Sequence, residues 1–82
     1  MKDTATPITE YDYSDLRSRV IALGKTNAEV AAAGGMSGPT FSLKINNKGQ
    51  FSQDQIILIS VFLGIPFEQI PRYFFKRKVQ LN

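Results

Sequence analysis

The stretch TNAEVAAAGGMSGPTFSLKINN, residues 26–47, decides how the chain folds. Thr26 is followed three residues later by Glu29, the spacing of a capping box in which each side chain satisfies a free backbone N–H of the other's turn. A helix starts there and runs through Ala28, Val30, Ala31, Ala32 and Ala33. Alanines at that density favour helix and let a neighbouring helix come close. Gly34-Gly35 stops it, since either glycine can hold a positive φ. Ser37 then caps a second helix, and Pro39 in its first turn loses no hydrogen bond, because the N–H groups there are unpaired anyway. Phe41 and Ile45, four residues apart, make its buried side, and "NNKG" ends it.

The pattern extends in both directions. Upstream, Leu16, Val20 and Leu23 fall at i, i+4 and i+7 and form one stripe of an amphipathic helix from Tyr13, with Arg17 and Arg19 off that face and Gly24 at its end. Downstream, Ser52 with Gln55 makes a second capping box, opening a helix through Leu63 that closes at Gly64. Pro66 opens a last short turn, "PFEQI", and Pro71 ends it. No stretch alternates with period two, so the expected class is all-α: five short helices, with residues 13–75 as the domain. Residues 1–12 contain Pro7 and no helical apolar stripe, and are expected to be a flexible arm. Residues 76–82 are expected to be a basic tail, solvated or gripping phosphate.

At 82 residues there is room for one small core. The chain has no cysteine and no histidine, which removes disulfide frameworks, thiol nucleophiles and the common zinc spacings together. No cofactor or small-molecule substrate is expected. The longest apolar runs, Ile56 to Ile59 and Val61 to Leu63, are far short of a membrane span, and the expected location is the cytoplasm. An enzyme is not expected: without His or Cys, catalysis needs paired carboxylates or a pocketed Lys. Asp15, Glu29, Asp54 and Glu68 instead fall at helix beginnings, where they suit the positive end of the helix dipole.

Ten Lys and Arg stand against seven Asp and Glu. Their distribution says more than the net charge of +3. Asp3, Glu10, Asp12 and Asp15 collect at the front; Arg72, Lys76, Arg77 and Lys78 collect at the end. Between Val30 and Gln53 there is no acid, only Lys44 and Lys48, so a polyanion could approach that window without repulsion.

Cap, alanine in mid-helix, glycine turn, apolar residue, serine cap, apolar pair: this order over Thr26 to Asn47 resembles the helix-turn-helix of phage Cro- and C1-type repressors. The resemblance extends over roughly Tyr13 to Tyr73, and "LGIPFEQIPRYFF" is similar to small repressor-like proteins of Gram-positive phages. It implies a lambda-repressor-like fold whose second and third helices form the motif. Ala31 would lie where the helices cross, Gly35 at the sharp turn, and Val30, Met36, Phe41 and Ile45 in the wedge between. It further implies that the third helix enters the major groove of double-stranded operator DNA. Carried onto this chain, the DNA-facing positions are Ser37, Gly38, Pro39, Ser42, Leu43 and Asn46, with Asn27 at a phosphate and Lys44, Asn47 and Lys48 near the backbone.

That surface is poor in the Arg, Asn and Gln side chains that read bases. An alternative from another class stands beside it: the same fold used to capture a partner repressor protein, an antirepressor, with Gly38, Pro39 and Leu43 as contacts. The fourth helix carries a surplus of apolar residues. Ile56, Ile59 and Leu63 suffice for a core stripe, which leaves Ile57, Leu58, Val61 and Phe62, with Tyr73, Phe74 and Phe75 beyond. Together these are read as packing of the aromatic end against the helix plus a homodimer or partner interface.

Overall fold

The computed structural model describes residues 10–78, so the first nine residues of the expected arm and residues 79–82 of the expected tail lie outside the described residues. The helices are α1 (Ser14–Ala22), α2 (Asn27–Ala33), α3 (Gly38–Ile45), α4 (Gln53–Leu63) and α5 (Ile70–Phe74), the last preceded by a 3-10 turn at Phe67–Gln69. Among the described residues there is no strand. An isolated antiparallel bridge joins Tyr11 to Arg77.

Side-chain caps mark where α2, α3 and α4 begin. Thr26 Oγ1 accepts from the Glu29 N–H at 3.1 Å while Glu29 Oε1 accepts from the Thr26 N–H at 2.8 Å. Ser52 and Gln55 repeat the exchange at the start of α4. Ser37 Oγ accepts from Thr40 N–H. α1 has no capping side chain at its N-cap, Tyr13; one residue earlier, Asp12 Oδ1 accepts from Ser14 N–H at 2.9 Å.

The ends share one device. In α1 to α4 the N–H just past the helix returns to a carbonyl five residues back: Lys25 to Val20, Met36 to Ala31, Lys48 to Leu43, Ile65 to Ser60. This bond requires a left-handed residue in between. Gly24, Gly35, Asn47 and Gly64 supply it, all with φ between 64° and 74°. The paired glycines after α2 therefore differ in role. Gly35 holds φ +74° and has open space where a Cβ would stand. Gly34 has an ordinary φ of −82°, but its hypothetical Cβ would lie 2.9 Å from Met36 Cε and 3.1 Å from Ile59 Cγ1. One glycine is needed for the turn, the other for closeness to α4.

The core is continuous through all five helices. Leu16, Val30, Phe41, Ile59 and Leu63 are its fully enclosed side chains, and Ala31 is buried where α2 meets its neighbours. Met36, partly buried, packs against this core. Phe51, in the α3–α4 loop, stacks edge-on against both Tyr13 and Phe74 at 5.6 Å, a favourable geometry for aromatic rings.

Three expectations are corrected, and one residue finds partners that the sequence did not indicate. α1 ends at Ala22, so Leu23 becomes its C-cap and is exposed. Pro71 sits in the first turn of α5, where its missing N–H is harmless, and opens that helix instead of ending the short turn begun at Pro66. Arg19, off the apolar stripe as expected, is the residue with the added partners: Nε donates to Leu63 O and Nη2 to Gly64 O, both at 2.8 Å, while Nη1 donates to Tyr73 Oη. A cation there satisfies the free carbonyls at the negative end of α4. Tyr73 and Phe74, assigned to an interface, are core residues.

The separated charges of the sequence meet in space. Asp12 N–H donates to Lys76 O, and Lys78 N–H to Glu10 O, which lays residues 10–12 antiparallel to 76–78. Above this backbone pairing, Glu10 faces Lys78 at 3.7 Å, Asp12 faces Lys76 at 3.8 Å, and Asp15 receives Arg72 Nε at 3.2 Å. The hydrogen bonds from Ser14, helped by Lys76 and Lys78, hold the Asp12 carboxyl below its ordinary pKa.

Two outcomes are expected. Gly35→Val, forcing a β-branched residue into the left-handed region, lowers stability by about 1 kcal/mol or more in urea unfolding; an unchanged midpoint contradicts this placement of the turn. Because the folded-state pKa of Asp12 is depressed, its contribution is present above the unfolded pKa and is lost as pH falls through the folded value. Asp12→Asn should therefore make the melting temperature less sensitive to acidification below about pH 4, which thermal melts at a series of pH values measure.

Candidate functional site

α3 packs on α2 through Phe41 and Ile45, and this orientation decides what faces outward. Ser37, Pro39, Ser42, Leu43 and Asn46 are exposed, Gly38 is half-buried, and Asn27 is exposed at the start of α2. The outward set expected from sequence is thus brought onto one exposed surface. Leu43 leaves 55% of its area in solvent at the middle of it.

The polar groups of this surface are less free than their names suggest. Asn46 Nδ2 donates to Ser42 O at 2.8 Å, and its Oδ1 accepts from Arg17 Nη2 at 3.0 Å. Lys44 Nζ donates to Gln50 O at 2.6 Å, which leaves an ammonium its charge and two of its three donors. Asn47 is turned away from the role assigned to it. Its Oδ1 accepts from Tyr11 N–H at 2.9 Å and its Nδ2 donates to Tyr11 O at 3.0 Å. A side-chain amide here imitates a peptide unit and ties the segment before α1 to the end of α3. Asn47 is thus a structural clamp in a left-handed conformation, which Asn tolerates better than most residues. Lys48 is exposed beside it.

Arg17 is the member that sequence reasoning missed. It reaches from α1 to Ile45 O and to Asn46 at the C-terminal end of α3, adding a long cationic donor to the face. Its position off the α1 stripe was visible; the target of its reach was not. With Arg17, Lys44 and Lys48 along one end, the surface is cationic. Of the acids nearest in sequence, Glu29 is engaged in its capping box, Asp15 pairs with Arg72, and Asp54 lies in the first turn of α4.

The second group of expected residues divides. Ile57, Leu58, Val61 and Phe62 are exposed on α4, Lys25 Nζ lies 5.1 Å from the centre of the Phe62 ring, and Phe75 is half exposed. Tyr73 and Phe74 belong to the core, as above. Phe67, which sequence reasoning left in an unassigned turn, is the most exposed large apolar residue among the described residues, at 79%. Among the described residues no single helix is long and apolar enough to cross a membrane.

These features define a class: a small all-helical domain that presents one short capped helix, without an acid of its own, on its surface. Residues 9–77 match the family described as "Protein of unknown function (DUF739)", and the chain belongs to that family. No curated protein matches the chain.

The clamp has a measurable signature. Asn47→Gly keeps the left-handed backbone and loses only the two bonds to Tyr11; Asn47→Ala loses both the bonds and the tolerance for positive φ. Ala should cost more than Gly by about 1 kcal/mol in chemical denaturation, and equal losses contradict the strained-turn role.

Proposed function

We propose that the chain is a helix-turn-helix regulator of transcription of the Cro/C1 type, with α2 and α3 as the motif. It binds double-stranded operator DNA as a symmetric dimer on paired half-sites and represses by occupying a promoter. The observation that carries this reading is the α3 face: a capped helix held outward by α2, free of acids, with Arg17, Lys44 and Lys48 at one end. An exposed helix of this kind fits the width of the major groove, and its cations meet phosphates.

The chemistry of the face sets how such binding is divided. Ser42 and Asn46 are short donors, Asn46 already serves Arg17, and the Ser37 hydroxyl already donates to Thr40 Oγ1. Base readout is therefore thin, with Leu43 available to a thymine methyl and Asn46 to one base. Most of the affinity comes from phosphate contacts and released counterions, which makes it steeply dependent on salt.

A second reading is favoured by one observation, the exposure of Leu43 beside Pro39 at the centre of the face. An apolar residue there suits a protein partner, and the partner of that reading is a repressor that this chain captures.

Titration against duplex DNA flanking its own gene, at two salt concentrations, distinguishes them. For a DNA reader, replacing Lys44 and Lys48 together with Ala weakens binding to all sequences and flattens the salt slope by about two units. Asn46→Ala chiefly relaxes sequence preference. For a protein binder, the parent shows no salt-dependent DNA binding, and Leu43→Asp abolishes capture of the neighbouring repressor in a pull-down.

A further inference from the structure

α4 buries Ile56, Ile59, Ser60 and Leu63 and leaves its other apolar side chains in solvent. Past Gly64 the chain turns at Pro66, and the 3-10 turn throws Phe67 outward. An apolar hollow lies on each side of it. Phe67 is a wall of both: the larger, about 350 Å³, is closed by Ile57, Ile70, Pro71 and Phe75 with Gln53 at its edge, and the smaller, about 210 Å³, by Ile57, Val61, Ile65 and Ile70 with Ser60. No charged side chain lines either hollow. Each offers more room than the roughly 150 Å³ that suffices to take up benzene in a protein interior.

A phenyl knob and phenyl-sized hollows therefore stand side by side on one face. That is the condition for an isologous contact, in which a two-fold axis sends the same residue of each copy into the same hollow of the other. We propose that this face joins two copies of the chain, with Phe67 of each seated in the larger hollow of its partner, between Ile57 and Phe75. Val61, at 76% exposure, lies beside the knob. Ile57, Val61, Phe67 and Phe75 together expose roughly 500 Å² of apolar surface per copy. Buried from both copies it comes to about 1,000 Å², the lower end of specific interfaces. The result is a reversible dimer that forms and dissociates with concentration. A polyanion finds no cation in these hollows, and a different protein partner has no need of both knob and hollow.

The proposal deepens the dimer of the preceding reading by assigning it a face, and it leaves α3 uncovered. It also separates two flanks of α4: Phe62, under Lys25, is outside the contact.

Sedimentation of the full chain without DNA, from micromolar to millimolar concentration, tests it independently of what α3 binds. The parent should move from monomer to dimer as concentration rises. Phe67→Ala, at a solvent-exposed position, should keep the parent's helical signal and raise the dissociation constant on the order of tenfold or more. Phe62→Ala should leave self-association unchanged. A parent that stays monomeric throughout, a Phe67→Ala variant that dimerises like the parent, or dissociation caused by Phe62→Ala overturns the proposal. Failure of the chain to bind DNA leaves these outcomes untouched.

Discussion

The end of α2 lies against α4 so closely that a Cβ on Gly34 would stand 3.1 Å from Ile59 Cγ1. The rest of the domain is arranged around that contact. Gly34 brings the two helices together, and Gly35 then reverses the chain in a conformation that other residues resist. Ser37 can only start a new helix from that point, and Phe41 and Ile45 drop into the space left beside Val30. Because Ala31 is small, the crossing remains tight. The direction of α3, and hence the identity of its exposed face, follows from this crossing rather than from any preference of the α3 residues themselves.

A second set of contacts closes the domain from outside. Residues 10–12 and 76–78 pair along their backbones, and the oppositely charged ends of the sequence become ion pairs across that seam. Exposed pairs of this kind contribute little individually; their use is to fix register where the backbone pairing is short. Asn47 joins the same seam to the end of α3 through Tyr11. Arg19 joins α1 to the last turn of α4 and to α5. The charges of the first and last segments are thus largely turned on each other, while those near α3 face solvent. Charge segregation along the sequence and charge placement in space are different quantities here, and the second bears on partners.

Much of the fold was legible in the sequence because it depends on local rules. Capping boxes at Thr26 and Ser52, the glycine pair, and the four-residue spacing of Phe41 and Ile45 each act within one turn of helix. The points that escaped were long-range. Nothing near Arg19 indicates carbonyls 44 and 45 residues away, and nothing near Asn47 indicates Tyr11. Pro71 misled because proline both ends and opens helices, and only the burial of Tyr73 and Phe74 decides between the two. The outward positions of α3 came from the family resemblance, which could not show that Asn46 and Lys44 already hold partners. Phe67 was missed since a residue in a 3-10 turn has no stripe to betray its direction.

Two surfaces emerge, with different chemistry and on different helices: the cationic α3 face and the apolar α4–α5 face. In the proposed regulator the first meets the DNA and the second joins two copies. The account rests most heavily on the first. Amide chemical-shift mapping by NMR, with labelled chain titrated by duplex DNA from the region of its own gene at low salt, tests it most directly. The account predicts shifts concentrated at Asn27, Ser37 to Asn46 and Lys48, diminishing as salt is added. A spectrum that does not change, or changes confined to the α4–α5 face, contradicts it.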